Sequence, residues 1–281
     1  MNSGFLNHKK RIDARIRAIL AAKKKIFLGL GFWGADSRKK LESFLFRGKT
    51  LRGSLVALSY VLFRKKLAHD ALDVGASLEL IHSALLIQDD IMDEDEMRRG
   101  MKTIHRQYEI LGKKKGIKNS YHFGEGAGIC LSDVAFFIAF ETLGELNLSK
   151  KVRRDLWELF SKELMTTAIG QIEDVALAGK AKNLELYRAK TARYTFVLPL
   201  LAGAILAGKN KKSLREFEKL AEILGIIFQL KDDELDDGAR VNNSEIAGLT
   251  EQARKLIRTL PAQNQKDFFA SLLKYNLERK S

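Results

Sequence analysis

The chain has 281 residues, of which 46% are hydrophobic, and this share is ample for a buried core. Its formal net charge of +14 favours anionic partners, among them phosphorylated small molecules, nucleic acid and an anionic membrane surface. The single cysteine, Cys130, excludes an internal disulfide and suits a reducing cytoplasm, and its neighbours Ile129 and Leu131 predict a buried thiol.

Apolar spacing and a low proline content predict an all-α protein. Two prolines are present, Pro199 and Pro261, and no alternating Val/Ile/Thr-rich segment indicates a strand. We therefore predict one all-helical domain over residues 1–281. No apolar run reaches the roughly 18–20 residues needed to span a bilayer, so no transmembrane segment is expected.

The first predicted helix covers Asn7–Lys25, where apolar residues recur at helical spacing and the outer face is basic. Three glycines then predict a loop, Gly29, Gly31 and Gly34, and helix resumes near Arg38. A basic turn follows, in which Lys49 and Arg52 are three residues apart and share a face on a helix. Two such cations can bind a diphosphate, although a surface turn is the better explanation of these residues when they are taken alone.

Two acidic clusters follow apolar runs. In the helix predicted over Leu78–Asp95, Asp89 and Asp93 lie one turn apart on the same face, with Asp90 beside them. The same spacing recurs in the second cluster, which consists of Asp232, Asp233 and Asp236. Stacked carboxylates repel unless a cation lies between them, and Mg²⁺ is commonly held by one or two carboxylates plus substrate phosphates. Neither cluster has the alternating acids, central glycine and distal glutamate of a calcium-binding EF-hand.

Both clusters resemble the aspartate-rich motifs of the trans-isoprenyl diphosphate synthases, or polyprenyl synthetases. The first motif, DDxxD followed by RRG, stands here as DDIMD with Arg98, Arg99 and Gly100. The second, FQxxDDxxD, stands as Phe228 and Gln229 before DDELD. Further family motifs match in order, GKxLR at residues 48–52, GQxxD at 170–174 and KT at 190–191, so that the resemblance extends from about Phe46 to Arg279.

The resemblance implies the isoprenoid synthase fold, a bundle of long helices around a central active-site cavity, and a role for each matching residue. It implies that Mg²⁺, three ions per active site, binds at Asp89, Asp93 and Asp232. It implies that the remaining motif aspartates and a lysine take part in catalysis: Asp90, Asp233, Asp236 and Lys190. The implied contacts to isopentenyl diphosphate are Gly48, Lys49, Arg52, His82 and Arg99. Those to the allylic diphosphate or the cavity around it are Arg98, Lys190, Thr191, Gln171, Phe228 and Gln229.

The sequence departs from the family pattern at three places. The usual proline after Arg52 is replaced by Gly53, and Ser132 replaces a glycine that usually precedes Asp133. After Asp237, residues 238–250 lack the lysines that typical members carry there. Lys231, Arg240 or Lys255 are the candidates for supplying the missing phosphate contact.

The resemblance implies Mg²⁺-assisted ionisation of an allylic diphosphate to a carbocation, which the double bond of isopentenyl diphosphate then attacks head to tail. In the family, bulky aromatic residues four and five positions before the first aspartate stop the product early. Here these positions are Leu85 and Ala84, neither of them aromatic. Since one helical turn is about 5.4 Å deep, on the order of one isoprene unit, we expect geranylgeranyl diphosphate or a longer product.

The resemblance also implies a homodimer, and we expect a cytoplasmic protein that binds no nucleic acid, with peripheral membrane contact if its products are long. Three alternatives stay open. A class I terpene cyclase shares the fold, but its second metal motif is typically an Asn/Asp–Ser/Thr–Glu set. A basic helical binding protein would need neither acidic cluster, and a non-catalytic partner subunit would suit the missing lysines.

Overall fold

The structure is a computed structural model and describes residues 3–177, 183–237 and 243–279. The chain divides into two compact units. We call Leu6–Ser54 with Leu72–Asn147 the N-terminal unit, and Met1–Phe5, Leu55–Ala71 and Leu148–Ser281 the C-terminal unit. The single domain expected over residues 1–281 stays a prediction.

The described residues are almost entirely helical, which confirms the all-α prediction. The first helices are α1 (Ser3–Ala22), α2 (Lys24–Gly29), α3 (Gly31–Leu45), α4 (Leu51–Phe63), α5 (His69–Met92), α6 (Ile104–Lys114) and α7 (Ser120–Gly144). Between α5 and α6, β1 (Met97–Arg98) and β2 (Met101–Lys102) form a short antiparallel hairpin. The later elements are α8 (Lys150–Ala176), α9 (Leu184–Leu186), a π-helix (Tyr187–Val197), α10 (Leu198–Leu206), a 3-10 helix (Lys211–Leu214), α11 (Arg215–Asp237), α12 (Asn243–Thr259) and α13 (Gln263–Glu278).

The loop predicted at the three early glycines is wrong, because α2 and α3 meet there in a helical hairpin. Gly31 has a φ of +62°, a value that glycine adopts without strain, and it reverses the chain between the two helices. Gly34 lies inside α3 against the backbone of Phe27, where an added Cβ would fall 1.8 Å from the Phe27 carbonyl oxygen. The two helices of the hairpin therefore pack closely at Gly34. Glycine content alone had predicted a loop at this position.

A second glycine contact sets the geometry of the N-terminal unit. A Cβ on Gly53 would lie 2.8 Å from the carbonyl oxygen of Gly75, and a Cβ on Gly75 would lie 2.6 Å from Cδ1 of Ile12. The start of α4 therefore packs directly on α5, with α1 completing the core. This close approach brings Arg52, on α4, to His82, on α5.

The C-terminal unit also contains a close contact, where α11 packs on the π-helix. An added Cβ on Gly225 would lie 2.4 Å from the α-carbon of Ala192. The π-helix ends at Val197, and Pro199 lies in the first turn of α10. Proline is tolerated there because the first helical N–H groups have no partner within the helix.

Two expectations concern helix α7. It is the one helix among the described residues whose length and apolar composition would allow it to cross a membrane. Its most apolar window is 44% buried inside the protein, and the core helix of a soluble protein passes the same test. Cys130, which lies on α7, was predicted to be buried and is exposed.

Candidate functional site

The first acidic cluster lies where α5 ends. Asp89 and Asp90 belong to its last turn, and Asp93 follows the final residue, Met92, although the helix was predicted to reach Asp95. The Asp93 N–H still donates to the Asp89 carbonyl oxygen at 2.9 Å, so the one-turn spacing of the two carboxylates holds. Glu94 then adopts a φ of +54° and turns the chain toward the β1–β2 hairpin.

The guanidinium of Arg98 lies against the acidic cluster. Its Nε donates to Oδ1 of Asp90, and its Nη2 lies 3.2 Å from Oδ2 of Asp95 and 3.5 Å from Oδ2 of Asp89. Burial raises the pKa of Asp90 to about 6, and the charge of Arg98 opposes that rise. The other carboxylate oxygen of Asp90, Oδ2, is buried without a hydrogen-bond partner. One guanidinium thus faces three carboxylates, which leaves a net negative site.

Arg99, the next residue, has different neighbours. It has a φ of +52°, a left-handed conformation that is uncommon for a residue with a side chain. Its Nη1 donates to the Phe44 carbonyl oxygen at 3.4 Å and lies 3.0 Å from where a Cβ on Gly48 would be. Consecutive arginines therefore contact two different sets of residues. A side chain at position 48 would force the Arg99 guanidinium to shift by a few tenths of an ångström.

Arg52 and His82 form the second contact of this basic region. Arg52 Nη1 lies 3.0 Å from His82 Nε2. A guanidinium donates only, so Nε2 must accept and the imidazole proton resides on Nδ1. Burial lowers the pKa of His82 well below its usual value, and the charges of Arg52 and Arg99 lower it further, so the ring is neutral at pH 7. Lys49, the remaining cation of this motif, is exposed. It precedes α4, and Thr50 has a φ of +55°, so the prediction that Lys49 and Arg52 share a helical face is wrong.

Glu79 is a residue that the sequence reasoning missed. It is buried, three residues before His82 on α5, and its Oε1 accepts the Gly53 N–H at 2.7 Å. Burial raises the pKa of Glu79, while the Gly53 N–H and the charges of Arg52 and Arg99 oppose the rise. The sequence did contain an indication of its role. A glutamate among the apolar residues of α5 needs a polar partner if it is buried, and the arginines at positions 52 and 99 can supply an opposite charge.

In the C-terminal unit, hydrogen bonds join the KT motif to the second acidic cluster. Thr191 Oγ1 donates to Oε1 of Gln229 at 2.8 Å, and Gln229 Nε2 donates to Oδ1 of Asp233 at 2.8 Å. The Tyr187 hydroxyl donates to Oδ2 of Asp233 at 2.5 Å. Burial and this carboxylate raise the pKa of Tyr187, which keeps the phenol protonated. Tyr187 was missed, and its position one turn before Lys190 was the available hint.

Lys190 contacts the GQxxD motif. Its Nζ donates to Oδ2 of Asp174 at 2.5 Å, so Asp174 has the basic partner that its setting requires. Gly170 lets the π-helix approach, because a Cβ there would lie 3.2 Å from the Lys190 backbone nitrogen. Gln171, beside it, is partly exposed.

Asp232 pairs with a residue near the end of the chain. Arg279 Nη2 donates to Oδ1 of Asp232, and the guanidinium carbon lies 3.8 Å from the ring centroid of Phe228. Arg279 was missed, since no local pattern links α13 to α11. The side chain of Asp236 lies outside the described residues, as does part of the segment that lacks the family's lysines.

The donor chemistry at the first cluster fits Mg²⁺, although no three His, Cys, Asp or Glu residues among those described form a ready-made metal cage. Asp89 and Asp93 present hard oxygen ligands one turn apart, and the unpartnered Oδ2 of Asp90 is a buried acceptor beside them. Mg²⁺ keeps waters and binds through one or two carboxylates plus substrate phosphates, so a three-residue cage is not required.

The two residues predicted to limit product length differ in their surroundings. Ala84 is fully buried on α5, one turn and one residue before Asp89. Leu85 is partly exposed. A larger side chain at Leu85 therefore has more room than one at Ala84.

Comparison with known proteins identifies the family. The family model described as polyprenyl synthetase matches residues 38–243, and the chain belongs to this family. It is 30% identical over 192 residues to a short chain isoprenyl diphosphate synthase of Methanocaldococcus jannaschii, with 67% of this chain and 54% of that protein covered. It is 30% identical over 227 residues to a farnesyl diphosphate synthase of Geobacillus stearothermophilus, with 76% and 70% covered. The match thus spans little more than half the length of the first of these relatives.

Solved structures share the fold. A geranylgeranyl pyrophosphate synthase from Corynebacterium glutamicum, complexed with isoprenyl diphosphate and magnesium, superposes with a TM-score of 0.85 at 22% identity, covering 96% of this chain and 98% of that one. A heptaprenyl diphosphate synthase from Staphylococcus aureus gives a TM-score of 0.73 at 19% identity, covering 100% and 99%. The prediction of an isoprenoid synthase fold is therefore confirmed.

Proposed function

We propose that this protein is a prenyl diphosphate synthase that joins an allylic diphosphate to isopentenyl diphosphate, head to tail. The observation that carries the proposal is the divergence of Arg98 and Arg99. Arg98 pairs with the acidic cluster, whereas Arg99 lies beside Gly48 in the region of Arg52 and His82. Two separate cationic groups in one unit suit two diphosphate substrates, and a single-substrate cyclase has no use for the second.

Each group has a distinct task. We assign Lys49, Arg52, His82 and Arg99 to the diphosphate of isopentenyl diphosphate, where the guanidinium forks donate to phosphate oxygens. Neutral His82 accepts from Arg52 and keeps its Nδ1–H as a further donor. Arg98, Lys190 and Thr191 are assigned to the allylic diphosphate, and Gly48, Gln171, Phe228 and Gln229 to the surroundings of the two substrates.

The carboxylates of Asp89, Asp93 and Asp232 would hold Mg²⁺, and Asp90, Asp233 and Asp236 would support them. The bound metal would neutralise the negative charge that develops on the leaving diphosphate. In the reaction the allylic carbon–oxygen bond breaks and its electron pair leaves with diphosphate. The isopentenyl double bond forms the new carbon–carbon bond, and a proton passes to the released diphosphate. The number of ions, three by resemblance, is to be counted by metal titration with substrate bound.

We propose a product of twenty carbons or more, because Ala84 and Leu85 carry no aromatic ring. We also propose a homodimer in the cytoplasm. Helix α7 exposes Ile129, Phe137 and Phe140, spaced so that they share one face, and a second copy would bury them. The exposed thiol of Cys130 suits a reducing compartment.

A product assay tests the activity. The purified chain receives Mg²⁺, labelled isopentenyl diphosphate, and dimethylallyl, geranyl or farnesyl diphosphate in turn. Incorporation of label into a longer prenyl diphosphate is expected with at least one primer. Asp89→Asn should lower the rate at least about 100-fold, since charge stabilisation in the transition state is lost. Glu96→Gln is the matched control, because Glu96 lies in the same acidic segment but pairs with Lys102 at 3.0 Å rather than with Arg98. Absence of labelled product with every primer would refute the proposal.

A further inference from the structure

The helical hairpin of α2 and α3 exposes an unusual amount of apolar surface. Five large apolar side chains within eight residues are exposed, and we call them the α2–α3 patch: Ile26, Leu28, Leu30, Phe32 and Trp33. Leu30, at the tip, is 70% exposed. Soluble monomers rarely expose contiguous apolar surface of this kind, and such patches mark binding sites for proteins or membranes.

The patch is held in a defined conformation. Phe27, between the exposed residues, is buried and anchors α2 to the N-terminal unit. Gly34 packs against the Phe27 backbone, and the Phe32 and Trp33 rings meet edge to face with centroids 5.2 Å apart. Trp33 in turn meets the ring of Phe123 on α7 at 5.7 Å. The apolar side chains therefore project from a packed hairpin.

Lysines surround the patch. Lys24 and Lys25 are exposed on α2. Lys115, at the end of α6, places its Nζ 4.2 Å from the centroid of the Phe32 ring. Lys114, which precedes it, is exposed as well, whereas Lys113 pairs with Glu109 at 2.6 Å. The nearest acid along the chain, Asp36, is paired with Lys40 at 2.6 Å, so the edge of the patch is positively charged.

A cavity continues the apolar surface. It measures about 500 Å³ and lies between α3, α6 and α7, with Trp33, Phe123, Leu131 and Val134 among its lining residues. Ser37 and the Tyr108 hydroxyl, 2.8 Å apart, satisfy each other within this lining. An acyl chain that passed Trp33 would thus meet apolar walls.

We propose that the α2–α3 patch docks this protein onto the surface of an anionic lipid bilayer. Aromatic and aliphatic side chains ringed by lysines match the boundary between headgroups and acyl chains, where apolar groups bury shallowly and cations meet anionic lipid. A second copy of this chain is the other candidate partner for the patch, and the lysines at its edge argue against it. Two such patches facing each other would bring Lys24, Lys25 and Lys115 of both copies together, and like charges repel.

Vesicle co-sedimentation tests the docking with the full chain. Vesicles of phosphatidylcholine alone are compared with vesicles that also contain phosphatidylserine, at low and high salt. Leu30→Ser removes the most exposed side chain of the patch. Ile172→Ser on α8 is the matched control, because Ile172 is also 70% exposed and lies in the other unit. The double variant Lys24→Gln with Lys25→Gln tests the charge without touching the apolar residues.

The wild type should bind the anionic vesicles and release them as salt rises. Leu30→Ser should weaken binding about tenfold, as expected for one leucine that no longer enters the acyl region. The lysine variant should weaken it about fivefold per charge, and Ile172→Ser should bind as the wild type does. Far-ultraviolet circular dichroism verifies that each variant is folded. Since no turnover is needed, the outcome is independent of the proposed prenyl transfer.

Two results would overturn the docking proposal. One is wild-type binding that is absent or equal for both kinds of vesicle. The other is a change in molar mass, measured by light scattering, for Leu30→Ser but not for Ile172→Ser, which would mean that a second copy covers the patch.

Discussion

The backbone N–H of Gly53 donates a hydrogen bond to Oε1 of the buried carboxylate of Glu79 at 2.7 Å. The related synthases usually carry proline at this position, and proline has no N–H to donate. Gly53 therefore gives the buried carboxyl group of Glu79 a partner that proline could not supply. This carboxyl group lies near the two arginines assigned to isopentenyl diphosphate, whose charges oppose the rise of its pKa.

Restoring proline should destabilise this protein. Gly53→Ala keeps the N–H but adds a Cβ 2.8 Å from the Gly75 carbonyl oxygen, which should cost about 1–3 kcal/mol. Gly53→Pro adds the loss of a hydrogen bond to a buried carboxylate, a further cost of about 1–3 kcal/mol. Urea unfolding measures both. Equal free energies of unfolding for the two variants would mean that the bond to Glu79 contributes nothing.

His82 should make the stability of the protein fall in mild acid. Its folded-state pKa lies below that of the unfolded chain, about 6.5, so both states are neutral above that pH. Below that pH, His82 binds a proton in the unfolded chain but stays neutral in the folded protein. The free energy of unfolding should therefore fall by up to about 1.4 kcal/mol for each unit by which the pH is lowered. His82→Gln, which keeps an acceptor for Arg52 and does not titrate, should lose less stability between pH 7 and pH 5. Parallel unfolding curves for the two proteins over this range would contradict the assignment.

Arg279 should compete with metal for Asp232. Its guanidinium pairs with the carboxylate that we assign to Mg²⁺. Arg279→Gln should lower the Mg²⁺ concentration that gives half-maximal activity, because a competing cation is removed. Arg279→Lys keeps a charge but loses the planar stacking on Phe228, and its Mg²⁺ requirement should stay closer to that of the wild type. A higher Mg²⁺ requirement for the glutamine variant would show that Arg279 assists metal binding.

Leu85→Phe should shorten the main product. The ring would occupy depth on the order of one helical turn, about 5.4 Å, or one isoprene unit. Chromatography of the products from labelled isopentenyl diphosphate measures the change, with Leu85→Met as a control of similar volume. Ala84→Phe should act in the same direction but cost stability, because Ala84 is fully buried. Unchanged chain length in a folded Leu85→Phe protein would remove these positions from the account of product length.

Local spacing predicted the parts of this protein that depend on a single helix. The helical class and the one-turn relation of Asp89 to Asp93 follow from periodicity and short-range geometry. The shared helical face predicted for Lys49 and Arg52 is wrong, because α4 begins only at Leu51. The hairpin at Gly31 and Gly34 did not follow, because the same glycines fit a loop or a close packing of helices. Only the tertiary contact with Phe27 decides between them.

Contacts between residues far apart in the sequence could not be predicted from local patterns. Arg279 meets Asp232 from 47 positions away, and Tyr187 meets Asp233 from 46. The burial of Cys130 was predicted from its apolar neighbours, but of these Leu131 is buried and Ile129 is exposed. A residue's neighbours along a helix face different directions, and the tertiary fold decides which of them is covered.

The thiol of Cys130 has a practical consequence for spectroscopy. It is the one cysteine of the chain, it is exposed, and it lines the same cavity as Trp33. A maleimide dye can therefore be attached to the unmutated protein at a known position, with no background from other thiols. Energy transfer from the Trp33 indole to the dye would then report changes at this cavity in real time.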